Sequence, residues 1–67
     1  MTYKFGFIGA GNMGGALIRA AAENNTDMKI AVFDVFADKA KEYAEKYENV
    51  SFTEINALIA ESEYVFI

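Results

Sequence analysis

Gly9, Gly11 and Gly14 stand in the run Gly9-Ala10-Gly11-Asn12-Met13-Gly14, directly after an apolar segment, and Asp34 follows 20 positions after the last of them. Glycines at G-x-G-x-x-G spacing, opening a helix, with an acid about 20 residues further on, are the residue types that hold a dinucleotide. Each has its own task. Gly9 permits a tight turn out of a strand, Gly11 has no side chain to keep a pyrophosphate from the backbone, and Gly14 lets a helix pack close to a sheet. Ala10 completes the loop. The amides of Asn12 and Met13 open the helix, so that unpaired N–H groups and the positive end of its dipole face the phosphates. Asn12 either caps that helix or lines the nicotinamide end. A plainer reading stands beside this one: a tight strand-to-helix turn needs glycine even where nothing binds.

At the end of a second strand, the Asp34 carboxylate is placed to accept hydrogen bonds from the adenosine ribose hydroxyls. The alternative is a strand-end aspartate that starts the next turn. In the first case the residue favours NADH. A carboxylate repels the 2'-phosphate of NADP, and the neighbours Val35 and Phe36 supply no arginine to hold it. Lys39 and Lys41 read as the solvated face of a helix.

The elements that must position these residues follow from apolar periodicity. Tyr3 to Ile8 is apolar on both alternating faces from Phe5 onward, as a strand covered on two sides is. Asn12 to about Glu23 reads as a helix with Met13, Leu17, Ala20 and Ala21 on one stripe, closed by Asn24-Asn25; Leu17 and Ile18 read as packing residues. Lys29 to Phe33 is a second strand. Asp38 is placed to cap a helix whose Ala40, Tyr43, Ala44 and Tyr47 keep the i, i+3, i+4, i+7 rule until Asn49. Val50 to Phe52 is a third strand. Ser51 or Thr53, followed by Glu54, signals a further helix with Ile55, Leu58 and Ile59 on its buried side. Tyr64-Val65-Phe66-Ile67 reads as a strand cut off in mid-run. Such alternation predicts an α/β fold, a Rossmann-type parallel sheet with helices on both faces and right-handed crossovers, truncated after about four strands.

Composition narrows the chemistry. The chain of 67 residues has no cysteine and no histidine, which leaves only carboxylates as metal ligands and argues against a metal centre. With a net charge of -4 and six scattered basic residues, neither nucleic acid nor an anionic membrane is an expected partner. The uncharged stretch between Lys4 and Arg19 is interrupted by glycines and an asparagine and is too short to span a bilayer, so the expected location is the cytoplasm. A domain this small buries only about 60% of the surface its unfolded chain exposes, so its stability margin is thin.

The run "FGFIGAGNMGGALIRA" resembles the N-terminus of pyrroline-5-carboxylate reductase, and the likeness continues through Asp34, "DKAKEYAEKY" and "ESEYVFI" over nearly the whole chain. The resemblance implies an oxidoreductase that passes hydride from NAD(P)H to the imine carbon of 1-pyrroline-5-carboxylate, giving proline. It also implies a dinucleotide-binding domain of six or more strands, followed by a helical domain with the substrate pocket and the dimer interface. By that measure residues 1-67 are the N-terminal part of the cofactor domain, inactive alone, with no catalytic residue of their own and with homo-oligomers formed only through the helical domain. Family members usually favour NADPH and carry a polar residue followed by arginine where this chain has Asp34-Val35. Rival readings are a noncatalytic NAD(P)-binding module and a related hydroxyacid or imine dehydrogenase. A methyltransferase usually has an acid two residues before the first glycine, where this chain has Phe7; a flavoprotein usually has a small residue where it has Ile18.

Overall fold

Strands and helices alternate along the chain as β1 (Tyr3–Ile8), α1 (Asn12–Asn24), β2 (Ile30–Phe33), α2 (Ala37–Lys46), β3 (Val50–Phe52), α3 (Ile55–Glu61) and β4 (Ser62–Phe66). The computed structural model describes the backbone of residues 1–67 and the side chains of all but Asn12 and Met13. All the strand pairs are parallel, in the order β3-β2-β1-β4. The connection from β3 to β4 therefore passes over β2 and β1, and the direction of winding reverses between β1 and β4.

The two faces of the sheet are separated by residue parity. Phe5 and Phe7 pair with Ile30 and Val32, which pair in turn with Val50 and Phe52. These residues form one core with Ile18 and Ala22 of α1 and Ala40 of α2. Gly6 points the other way. A Cβ built there would meet the Ser62 hydroxyl, with Cδ2 of Leu58 at 2.6 Å, so α3 packs on the opposite face through Leu58. The expected Rossmann-type arrangement is present, with helices on both faces.

Local chemistry departs from expectation at several places. Asp38 does not cap α2; it sits in the first turn, and the N-cap position is Phe36. Asp34 replaces it, because its carboxylate accepts from the Phe36 amide at 2.8 Å and shapes the turn that leads into the helix. Helix α2 ends at Lys46 rather than at Asn49. Asn49 instead donates from Nδ2 to the carbonyls of Ala22, Asn25 and Met28, at 3.1 to 3.2 Å, and fixes the turn between α1 and β2. Neither Ser51 nor Thr53 caps α3, whose N-cap is Glu54 without a side-chain bond. Ser51 is an exposed strand residue, and the buried Thr53 hydroxyl finds no partner among the described residues.

The buried face of α1 is also rotated from the expected stripe. Ile18 and Ala22 are fully buried, whereas Leu17 and Ala20 are exposed. Gly14, on the buried side, brings the helix close enough to the loop for the next inward residue, Ile18, to reach the sheet. On α3 only Leu58 is buried; Ile55 and Ile59 are 37% and 54% exposed. With no Cβ at Gly6, a helix of seven residues seats one leucine squarely, and the flanking isoleucines remain on the rim. Strand β4 begins at Ser62, two residues before the apolar run, because Ser62 pairs with Tyr3.

Candidate functional site

The loop from Gly9 to Gly14 leaves β1 at the carboxyl end of the sheet, where the winding reverses. In parallel α/β sheets this crevice is where ligands bind. Three hollows reach the loop; the smallest, of about 210 Å³, runs from Ala10 and Gly11 to Arg19, Lys39 and Tyr43 between α1 and α2, and the other two lie at the strand ends. One, of about 350 Å³, lies between Gly9, Gly11, Asp34, Val35, Phe36 and Lys39, on the β2 side. The other, of about 390 Å³, lies between Gly9, Gly11, Gly14, Leu17, Phe66 and Ile67, on the β4 side. Gly9 and Gly11 line both, so an elongated ligand crossing the loop would touch their backbone at its middle. A larger hollow of about 570 Å³ lies at the amino ends of β2 and β3, remote from every loop glycine. That is the wrong end of the sheet for a ligand held by strand termini and a helix N-terminus.

The three glycines stand in three different situations. Gly9 has φ +101°, a conformation that side chains rarely adopt. A Cβ on Gly14 would lie 2.5 Å from the Gly9 carbonyl oxygen, so close packing of helix on loop excludes any side chain. Gly11 is different. Its φ is -71°, ordinary for any residue, and a Cβ built on it meets no atom of the described residues within 4 Å. Neither conformation nor packing asks for glycine there. What a side chain at Gly11 would fill is the space between the two hollows, and a bare backbone at that point fits a ligand phosphate.

Asp34 is 9% exposed and both its oxygens are engaged. Oδ2 accepts from the Ala10 amide at 2.6 Å, and Oδ1 accepts from the Phe36 amide at 2.8 Å. The Phe36 and Ala10 amides, in that order, hold its pKa below the ordinary value of 3.8; burial opposes them, and Lys39 adds a smaller pull. Linkage fixes the sign. A carboxylate whose folded pKa is depressed stabilises the fold above its unfolded value, and that stability is lost as pH falls through the folded one. Urea unfolding between pH 6 and pH 3 should therefore show wild type weakening below about pH 4, with a shallower dependence in Asp34→Asn.

The structure thus brings Gly9, Ala10, Gly11, Gly14 and Asp34 together at one crevice. The backbone of Asn12 and Met13 begins α1. Their side chains, including the choice for Asn12 between capping and lining, lie outside the described residues. Sequence reasoning assigned no cofactor contact to Val35 and Phe36, which are 81% and 69% exposed beside Asp34, nor to Phe66 and Ile67 on the β4 side. Their position at the carboxyl ends of strands was the available signal.

A family model described as NADP oxidoreductase, coenzyme F420-dependent, matches residues 4–67. The chain belongs to that family. As an NADP oxidoreductase family member it is a dinucleotide-binding domain of the NAD(P)-dependent oxidoreductase type, and the family includes pyrroline-5-carboxylate reductase. No curated protein and no solved structure matches the chain. A nicotinamide dinucleotide, the cofactor class of this family, fits the residues present at its pyrophosphate, since the bare backbone at Gly11 stands open where that group would cross. Among the described residues no group of three or more acids forms a metal site, and no helix is long and apolar enough to cross a membrane.

Proposed function

We propose that this chain is the cofactor-holding part of a reductase that uses NADH to convert 1-pyrroline-5-carboxylate to proline. The observation that carries the cofactor reading is Gly11, the N-cap of α1, whose φ suits any residue and whose missing side chain would meet no described atom within 4 Å, at the junction of two hollows. In this reading the pyrophosphate lies over Gly9 and Gly11 at the N-terminus of α1. Val35 and Phe36 offer apolar surface to the adenine, and the second lone pairs of the Asp34 oxygens accept from the ribose hydroxyls. Leu17, Phe66 and Ile67 enclose the nicotinamide side. The cofactor supplies the hydride; the chain orients it and keeps water from one face. The imine substrate and the dimer contacts belong to a helical domain that these residues do not include. Support for the specific reaction is the resemblance of "FGFIGAGNMGGALIRA" and the family that the chain belongs to.

Fluorescence titration with NADH and NADPH tests the cofactor. NADH should bind at least about tenfold more tightly, a difference of about 1.4 kcal/mol, and Asp34→Ala should bring the ratio near one. A wild-type preference for NADPH overturns the role of Asp34, and failure to bind either overturns the cofactor reading. The reaction is tested by NADH oxidation that depends on 1-pyrroline-5-carboxylate and yields proline, in the protein that carries this domain. Turnover of a hydroxyacid in its place would assign the related dehydrogenase class instead.

A further inference from the structure

The ribose reading of Asp34 leaves its shortest contact unexplained. The 2.6 Å bond from the Ala10 amide joins the end of β2 to the middle of the glycine loop, 24 residues away in sequence, and it is buried. Ala10 itself is 5% exposed, and its amide is taken by the carboxylate rather than left free for a ligand. We infer that Asp34 is a positioning residue for the glycine loop: by holding the Ala10 amide it sets where Gly9 and Gly11 present bare backbone, and pyrophosphate affinity depends on it even when the ligand has no ribose hydroxyl. This inference rests on the reading that the crevice takes a dinucleotide.

The loop has reason to need such a tether. Gly9 is the most freely rotating residue type in a left-handed conformation, and it has no side chain through which packing could pin it, a Cβ there meeting no described atom within 4 Å. On one side its amide is held by the Phe33 carbonyl at 2.8 Å, and Gly14 closes against its carbonyl oxygen. Between those points the Asp34–Ala10 bond is the cross-link from loop to sheet. A charged acceptor makes it short and strong relative to a neutral one. The same carboxylate also takes the Phe36 amide, so one side chain sets the loop that meets the pyrophosphate and the turn that meets the adenosine.

Electrostatics and tethering predict opposite signs for one substitution, which makes the inference testable. Asp34→Asn removes a negative charge from beside the phosphates. If charge alone mattered, an anionic ligand would bind more tightly. Yet the amide can accept with only one of its two polar atoms, so it turns a donor towards either Ala10 or Phe36, and a tethered loop is released.

The probes are ADP and 2',3'-dideoxy-ADP, which share adenine and pyrophosphate and differ in the ribose hydroxyls. Asp34→Asn should weaken the dideoxy probe about tenfold, and ADP by more. Unchanged or tighter dideoxy binding, with ADP weakened, overturns the tether while leaving the ribose contact standing. If wild type binds neither probe, the cofactor reading fails by itself, and the tether is decided by NMR on the wild-type chain. There the Ala10 and Phe36 amide protons should follow the Asp34 carboxyl titration with one midpoint. An Ala10 amide that ignores it overturns the inference. Amide exchange completes the test without a ligand: in Asp34→Asn, Ala10 should exchange at least about tenfold faster while Val32, in the middle of the sheet, is unchanged. Equal exchange at Ala10 in both proteins overturns it as well.

Discussion

Gly14→Ala should lose dinucleotide affinity by roughly 10- to 100-fold and lose stability at the same time. The new methyl carbon would stand 2.5 Å from the Gly9 carbonyl oxygen and 3.2 Å from its carbon. Both are backbone atoms, so no rotamer change relieves the overlap. Either α1 moves outward or the loop moves, and overpacking of this kind costs about 1–3 kcal/mol. The loop that moves is the one meant to meet the pyrophosphate, and each 1.4 kcal/mol of misfit is about tenfold in affinity. Gly11→Ala is the matching control. Its methyl meets no described atom within 4 Å, and the backbone conformation suits alanine. Stability should change by less than about 1 kcal/mol, the scale of an N-cap exchange, while affinity still falls because the methyl occupies the ligand's space. Thermal melts and NADH titrations of both proteins decide the matter. Equal NADH affinity for Gly11→Ala and wild type would mean that no ligand crosses that backbone.

Leu58→Ala should come close to unfolding the chain. Leu58 is the one buried side chain of α3, fully enclosed, with its Cδ2 2.6 Å from where a Gly6 Cβ would be. Removing a buried leucine to its Cβ costs about 2–5 kcal/mol. Whole-domain stability is commonly about 5–15 kcal/mol, and a small domain lies at the low end. Since each kcal/mol shifts the melting temperature of a domain this size by about 4–8 °C, a fall of at least about 10 °C is expected by circular dichroism. Ile59→Ala, at a position 54% exposed, should shift it by only a few degrees. Similar shifts for the two would mean that α3 is held on the sheet by its rim rather than by the Leu58–Gly6 contact.

The contrast between Leu58 and its neighbours shows where sequence reading stops. Ile55, Leu58 and Ile59 share one apolar helical face, and periodicity weights them equally. Only the approach of α3 to Gly6 selects Leu58, and that approach depends on which strand lies beneath the helix. Leu17 and Ile18 raise the same difficulty on α1. The rotation that buries Ile18 and exposes Leu17 is set by Gly14 closing on the Gly9 carbonyl, a contact between residues whose spacing in sequence gives no distance. Capping failed for a related reason. Asp38 and Thr53 are good capping types, but Asp34 had already shaped the entry to α2, and Glu54 occupies the N-cap of α3.

By itself the sequence determined the kind and order of the elements, because apolar patterning is a local property: a short continuous apolar run in Phe5 to Ile8, and i, i+3, i+4, i+7 in Ala40 to Tyr47. It also placed the glycine cluster between β1 and α1 and the acid at the end of β2, since both positions are counted along the chain. The order β3-β2-β1-β4 came only from the tertiary structure, and with it the reversal of winding at β1 that makes a crevice of the loop. Only there did the three glycines separate into one fixed by conformation, one by packing and one by neither. Only there did the Asp34 carboxylate meet the Ala10 amide, 24 residues away. Hydrogen bonds and packing act through space over a few ångströms, and which residues come within that reach is decided when the strands pair.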